Sequence, residues 1–196
     1  SSNDTVTSLN GIQYLTTIEN LKLENCSVLT TVSVADMLNL KTVSVNGCYQ
    51  LTTINVSGAT NLTELTLPNL QALTSVNVSN CTSLNTVAVS SGTDGFWNNF
   101  NTTGCSGLEI TNDVALLTEF NLSAISDKAA VKSITLKNCN SLTTVNVSGL
   151  TALEALSVSE GCSALTSIDA SDCINLSTLN LKEYSGLQTL NVSNTA

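Results

Sequence analysis

Apolar residues fall at Ile18, Leu29, Leu40, Leu51, Leu62, Leu73 and Leu84, an interval of eleven kept without a slip. Each unit reads apolar-x-x-apolar-x-apolar-x-x-small-x-x, as in Leu51-Thr-Thr-Ile54-Asn-Val56 and Leu73-Thr-Ser-Val76-Asn-Val78. Pairs such as Val32/Val34, Val43/Val45 and Ile54/Val56 alternate with Ser, Thr and Asn. Alternation of β-branched residues predicts a short strand with one buried face. Only four or five residues separate successive strands, which leaves no room for a helix. Such a chain closes on itself by coiling, each strand stacking on its counterpart in the next coil.

One eleven-residue unit is too short to encircle a filled core, so two units per coil are expected. Two classes of unit support this. One places Asn or Asp between its inward pair: Asn55, Asn77, Asn121, Asn146, Asp169 and Asn191. The other places mixed residues there: Lys22, Ser44, Thr66, Ala88, Thr135, Ser157 and Asn180. The expected fold is a mainly β solenoid of about 22 residues per coil with two short extended segments in each. A narrow parallel β-helix is the alternative.

The whole chain, 1–196, reads as one solenoid domain. Residues 1–17 miss the register and read as an N-terminal cap over the first layer of core. Repeats occupy 18–90, an insertion 91–116, and further repeats 117–193, with another looped stretch at Ser123–Ala130. The last regular unit, Leu187–Val192, has no polar cap after it, so further chain or another copy of the molecule is expected to cover that end. End-to-end self-association follows as one form of this.

Composition narrows function more than it defines it. The net charge is −9, and all six basic residues are lysines. Without a basic stripe, nucleic acid and anionic membrane surfaces are not expected partners. No stretch approaches the roughly 18 apolar residues of a membrane span, so direct membrane insertion is not expected. There is no histidine, hence no Ser-His-Asp or Cys-His system and no H-E-x-x-H zinc site. The seven cysteines form no C-x-x-C pair, so neither a metal site nor a cofactor is expected. Cys26, Cys48, Cys81, Cys139 and Cys173 share a slot that elsewhere holds Met37, Ala59, Leu70 and Leu150, and Cys162 is one place late. A slot that accepts Cys, Met, Ala and Leu behaves as a small apolar core position occupied by free, buried thiols. Stacked neighbours such as Cys26 and Cys48 lie near the strand spacing, so occasional bridging remains open.

At Ile18-Glu-Asn-Leu21-Lys-Leu23-Glu-Asn-Cys26 the sequence resembles leucine-rich repeats, in which Leu-x-x-Leu-x-Leu forms a strand and its turn and Asn or Cys fills a buried ladder. Leu9-Asn-Gly-Ile12-Gln-Tyr14-Leu15-Thr-Thr-Ile18 looks like units of secreted and surface-anchored bacterial proteins, including internalin-type adhesins, and gut-bacterial repeats with Leu-Thr-x-Leu-x-Val-Ser are closer still. The resemblance covers roughly 9–90 and 117–193. It implies a right-handed coil, an extracellular or cell-surface location, and a non-catalytic module that binds a protein or glycan. A structural spacer within a larger surface protein is the alternative, and a carboxylate-based glycosidase comes third.

Three sets of residues are candidates for binding. The Asn/Asp row forms either a hydrogen-bonding surface or a solvated, self-paired ladder. Thr30, Thr52, Thr74, Thr143 and Thr166 make a second row beside the strands. The cluster Phe96, Trp97 and Phe100, with Asp94, Asn98, Asn99 and Asn101 nearby, is either a stacking platform for sugar rings or the apolar anchor of the insertion. The carboxylates Asp94, Glu109, Asp113, Glu119 and Asp127 show no spacing diagnostic of glycosidase or calcium chemistry, and read as surface acids.

Overall fold

The computed structural model describes residues 5–90, 96–113, 116–159, 161–181 and 184–196. In chain order the first strands are β1 (Asn20–Glu24), β2 (Thr31–Ser33), β3 (Thr42–Asn46), β4 (Thr53–Asn55), β5 (Glu64–Pro68), β6 (Ser75–Asn77), β7 (Thr86–Ser90) and β8 (Phe100–Asn101). After them come β9 (Leu108–Asn112), β10 (Glu119–Asn121), β11 (Val131–Leu136) and β12 (Thr144–Asn146). The last are β13 (Ala155–Val158), β14 (Ser167–Asp169), β15 (Thr178–Leu181) and β16 (Thr189–Asn191).

Odd-numbered strands form one eight-stranded sheet, β1-β3-β5-β7-β9-β11-β13-β15, and even-numbered strands form two four-stranded sheets, β2-β4-β6-β8 and β10-β12-β14-β16. Every pairing is parallel. Partners such as Leu21↔Val43 and Ile54↔Val76 are one 22-residue coil apart. The fold is therefore a parallel β-solenoid with two extended segments per coil, and the two unit classes in the sequence are its two sides.

Inward residues explain the coil. Val43, Val45, Ile54, Val56, Leu65 and Leu67 are almost wholly buried, and the leading residues Leu40, Leu51 and Leu62 join them in one continuous core. Each such side chain contributes about 1.5–3 kcal/mol through burial. At the start, Val6, Leu9 and Ile12 pack against this core, with Ile12–Tyr14 forming a 3-10 turn. At the other end Leu190 and Val192 are exposed.

Most corners between strands carry a residue in the left-handed conformation just before the small core slot. Asn25, Asp36, Asn69, Asn80, Asn138 and Asp172 occupy such corners with φ of 54–58°. Gly58 and Gly104 fill the same role at φ 71° and 76°. Only Gly, Asn and Asp enter this region readily. The corners also stack, so a Cβ on Gly58 would lie 2.1 Å from Asp36 Oδ1, and one on Gly104 would lie 2.6 Å from Asn80 Oδ1. An Asn or Asp in one coil thus rests over a glycine in the next.

The structure departs from the expected insertion at 91–116. β8 and β9 fall inside that stretch; β8 pairs with β6 and β9 with β7, and β9 pairs with β11 with a register shift between Val131 and Ser133. Residues 96–112 are a coil of the array with a disguised pattern. Phe100 takes the slot of Val76, while Thr102 and Asn112, both wholly buried, stand where Val78 and Val89 stand one coil earlier. Polar residues at inward positions broke the apolar alternation that would have revealed the strands.

Candidate recognition surface

The Asn/Asp row does structural work at its oxygen. Backbone N–H groups of Ser57, Ser79, Thr103, Ser123, Ser148, Ser171 and Ser193 donate to Oδ1 of Asn55, Asn77, Asn101, Asn121, Asn146, Asp169 and Asn191, at 2.9–3.2 Å. Each is a local turn in which a side-chain oxygen replaces a backbone acceptor. Because only an oxygen is needed, Asp169 serves as well as Asn. The hydroxyl and N–H of Ser171, with the Asn191 amide in the next coil, hold the Asp169 carboxyl below its ordinary value. The row is split between the two short sheets, with Asn55, Asn77 and Asn101 in one and Asn121, Asn146, Asp169 and Asn191 in the other.

Threonine hydroxyls clamp one coil to the next. Those of Thr52, Thr74, Thr143 and Thr166 donate to the carbonyls of Thr30, Thr52, Thr118 and Thr143, at 3.0–3.2 Å.

Phe96, Trp97 and Phe100 do not form an open platform. All three are at most 2% exposed. Trp97 lies between Phe96, Phe100 and Phe120, with ring centroids 4.8, 5.3 and 5.1 Å away, in edge-on or tilted packing. These rings fill the core where β8 and β10 fail to pair and the even-numbered side divides. Ser126 bridges that seam: its hydroxyl accepts the Thr102 N–H at 2.9 Å and donates to Asn101 Oδ1 at 3.1 Å. Trp97 Nε1 is buried without a hydrogen-bond partner, which places it in the core rather than on a binding face.

Among the described residues the candidate carboxylates are spread over several elements. Glu109 lies on the eight-stranded sheet and Glu119 on a four-stranded one, Asp113 follows β9, and Asp127 is in the loop before β11. Asp94 lies outside the described residues. Among the described residues there is no group of three or more potential metal-ligating side chains. Nor is any helix long and apolar enough to cross a membrane.

The eight-stranded sheet offers the longest unbroken surface. Its central outward row runs Lys22, Ser44, Thr66, Ala88, Thr111, Thr135, Ser157, Asn180 in continuous register. These are mostly small or hydroxyl-bearing, so the sheet surface is low and even. Beside Ala88 a depression of about 130 Å³ is lined by Thr66, Ser90, Thr111, Asp113 and Lys137. A larger groove, about 400 Å³, lies between the cap and β2, lined by uncharged residues including Ser8, Asn10, Gln13, Thr31 and Ser33. Its cap side is partly spent on itself, since Ser8 Oγ accepts the Asn10 N–H and Gln13 Oε1 that of Gly11. Thr111 was missed as part of the central row because its strand was read as insertion. The corner residues were missed too, although an Asn, Asp or Gly immediately before each small slot was visible.

Strands that carry Leu-x-x-Leu-x-Leu units and corners that carry a Cys-rich ladder are the pattern of leucine-rich repeats. Residues 1–92 match the family model described as the endo-beta-N-acetylglucosaminidase EndoS LRR domain. The match spans just under half of the chain, and together with the solenoid it fits a leucine-rich-repeat protein. No curated protein matches it.

Proposed function

We propose that this domain is a non-catalytic recognition module, displayed outside the cell, that binds a protein or glycan across the eight-stranded sheet. A leucine-rich-repeat domain is a binding or structural module, and the choice of face rests on one observation. The central outward row continues through all eight strands, whereas the opposite side is split and its Asn/Asp oxygens are committed to turns. Stacked coils hold the surface in its binding form, so little ordering is needed on association. The matching family is named for an endo-beta-N-acetylglucosaminidase, which supports including glycans in the search.

The test is to immobilise the domain and present panels of extracellular proteins and of glycans. Ala88→Arg and Thr135→Arg place long charged side chains on the central row and are expected to weaken capture at least tenfold. Asn77→Asp, on the other side, is expected to leave it unchanged. Capture insensitive to both arginine variants would move the site off this sheet. Failure to capture anything in either panel would favour a spacer role, which the inter-coil threonine clamps also support.

A further inference from the structure

The cysteine slots stack in columns along the array. One column runs Cys26, Cys48, Leu70 and, farther on, Cys139, Cys162, Tyr184; the other includes Met37, Ala59, Cys81, Cys105 and later Leu150, Cys173. All seven cysteines are buried and none is in a disulfide. Six of them fall into nearest-neighbour pairs on consecutive coils, and Cys173 does not, because Leu150 holds the slot one coil before it.

We propose that these pairs, Cys26–Cys48, Cys81–Cys105 and Cys139–Cys162, are inter-coil cross-link sites that close to disulfides when the chain folds with a small-molecule disulfide as oxidant. The backbone at each pair is drawn together by the corner before it. Asn25 N–H donates to Asn46 O at 2.9 Å, and Asn80 N–H to Thr103 O at 2.8 Å. A Cβ on Gly161, beside Cys162, would lie 2.8 Å from Asn138 Cα, beside Cys139. Stacked coils are about 4.8 Å apart, inside the Cα separation of about 4.4–6.8 Å that a disulfide spans.

The sulfurs of Cys81, Cys105 and Cys173 all lean toward the preceding coil, donating to Val56, Val78 and Val147 O at 3.1–3.2 Å. Cys105 Sγ donates to Val78 O at 3.1 Å, and the same carbonyl accepts the Cys81 N–H at 3.1 Å, so the Cys105 sulfur leans onto the Cys81 turn. A thiol hydrogen bond from Cys139 lowers Cys162 to about 7, whereas burial, with the Cys26 thiol adding to it, raises Cys48. Burial likewise pushes Cys81 up to about 12 and Cys105 to about 11.

Closing one bridge removes two thiol hydrogens. A thiolate attacks the oxidant disulfide and expels one thiol. The second thiolate displaces the other, so one oxidant disulfide becomes two thiols and the protein gives up two electrons and two protons. Folded coils shield these sulfurs, so the exchange belongs to the stage at which coils stack.

The experiment refolds the denatured chain either in reduced glutathione alone or in a mixture of reduced and oxidised glutathione. Free thiols are then alkylated in denaturant, counted by mass, and the bridges mapped by proteolysis. Circular dichroism confirms that both samples are folded. Seven free thiols are expected in the reduced sample and one, Cys173, in the oxidised sample. Cys26→Ala, a residue that Ala59 shows the slot to accept, is expected to leave two, Cys48 and Cys173. A folded oxidised sample that retains both thiols of any pair overturns the assignment for that pair and the rule that stacking alone selects partners. Bridges to Cys173, between columns or between molecules overturn the proposal as a whole.

Discussion

Replacing Asn77 by Ala and by Asp separates the two roles its row was given. In the structure, Asn77 Oδ1 accepts the Ser79 N–H at 3.0 Å, and the Ser79 carbonyl accepts the Gly58 N–H of the preceding coil at 2.9 Å. Alanine removes the oxygen and leaves a partly buried N–H unmet, at a cost of about 1 kcal/mol. For a chain of this size that lowers the melting temperature by about 2–4 °C. Asparagine to aspartate keeps the oxygen, as Asp169 does naturally, and is expected to cost under about 0.5 kcal/mol. Asn146 makes the same turn in the other short sheet and shares no partner with Asn77. The double alanine variant is therefore expected to lose about 2 kcal/mol, close to the sum of the single losses. Urea unfolding followed by circular dichroism, with the midpoint and slope fitted together, measures the parent and all four variants. Equal stability of the Ala and Asp variants would refute the turn argument. So would an alanine variant indistinguishable from the parent.

Trp97→Ala empties a buried site ringed by Phe96, Phe100 and Phe120 and is expected to cost about 3–5 kcal/mol, read by urea unfolding. A loss below about 1 kcal/mol would show that these rings do not hold the seam. Gly58→Ala forces a side chain into a left-handed corner and against Asp36 Oδ1; it is expected to cost more than about 1 kcal/mol, with part recovered by adding Asp36→Gly. No recovery in the double variant would place the cost in backbone strain alone. Asp169 has a lowered folded value, so its contribution is present above the unfolded value near 4 and is lost as pH falls through the folded one. Between about pH 5 and 2, Asp169→Asn should flatten the acid-side decline in stability relative to the parent, and an unchanged slope would remove Asp169 from the account.

Most of the fold was legible because an eleven-residue period and two unit classes leave few ways to bury Val, Ile and Leu. The same reasoning failed at residues 96–112, where periodicity is carried by Phe100 and Ile110 but interrupted by buried Thr102 and Asn112. A rule built on apolar alternation cannot see a strand whose inward position is polar, even when hydrogen bonding or aromatic packing nearby sustains it. The candidate site was less legible for a related reason. Phe96, Trp97 and Phe100 have the composition of a sugar platform, but whether a ring faces solvent depends on the break between β8 and β10, a tertiary event. The Asn row reads in the sequence as one ladder, but the structure divides it between two short sheets and adds Asn101, and its oxygen's commitment to the residue two places on is a property of the backbone.

The seam between β8 and β10 also bears on how the array comes apart. In a stacked array each coil is stabilised only by its immediate neighbours, so cooperativity is passed along link by link. Elsewhere two ladders of backbone bonds carry each link. At the seam the eight-stranded side carries its ladder through β7, β9 and β11, while the other side relies on Ser126 and a knot of aromatic rings. Under a pulling force or partial denaturation, that link is the fracture plane, with the coils ending at β8 and those beginning at β10 as the two fragments.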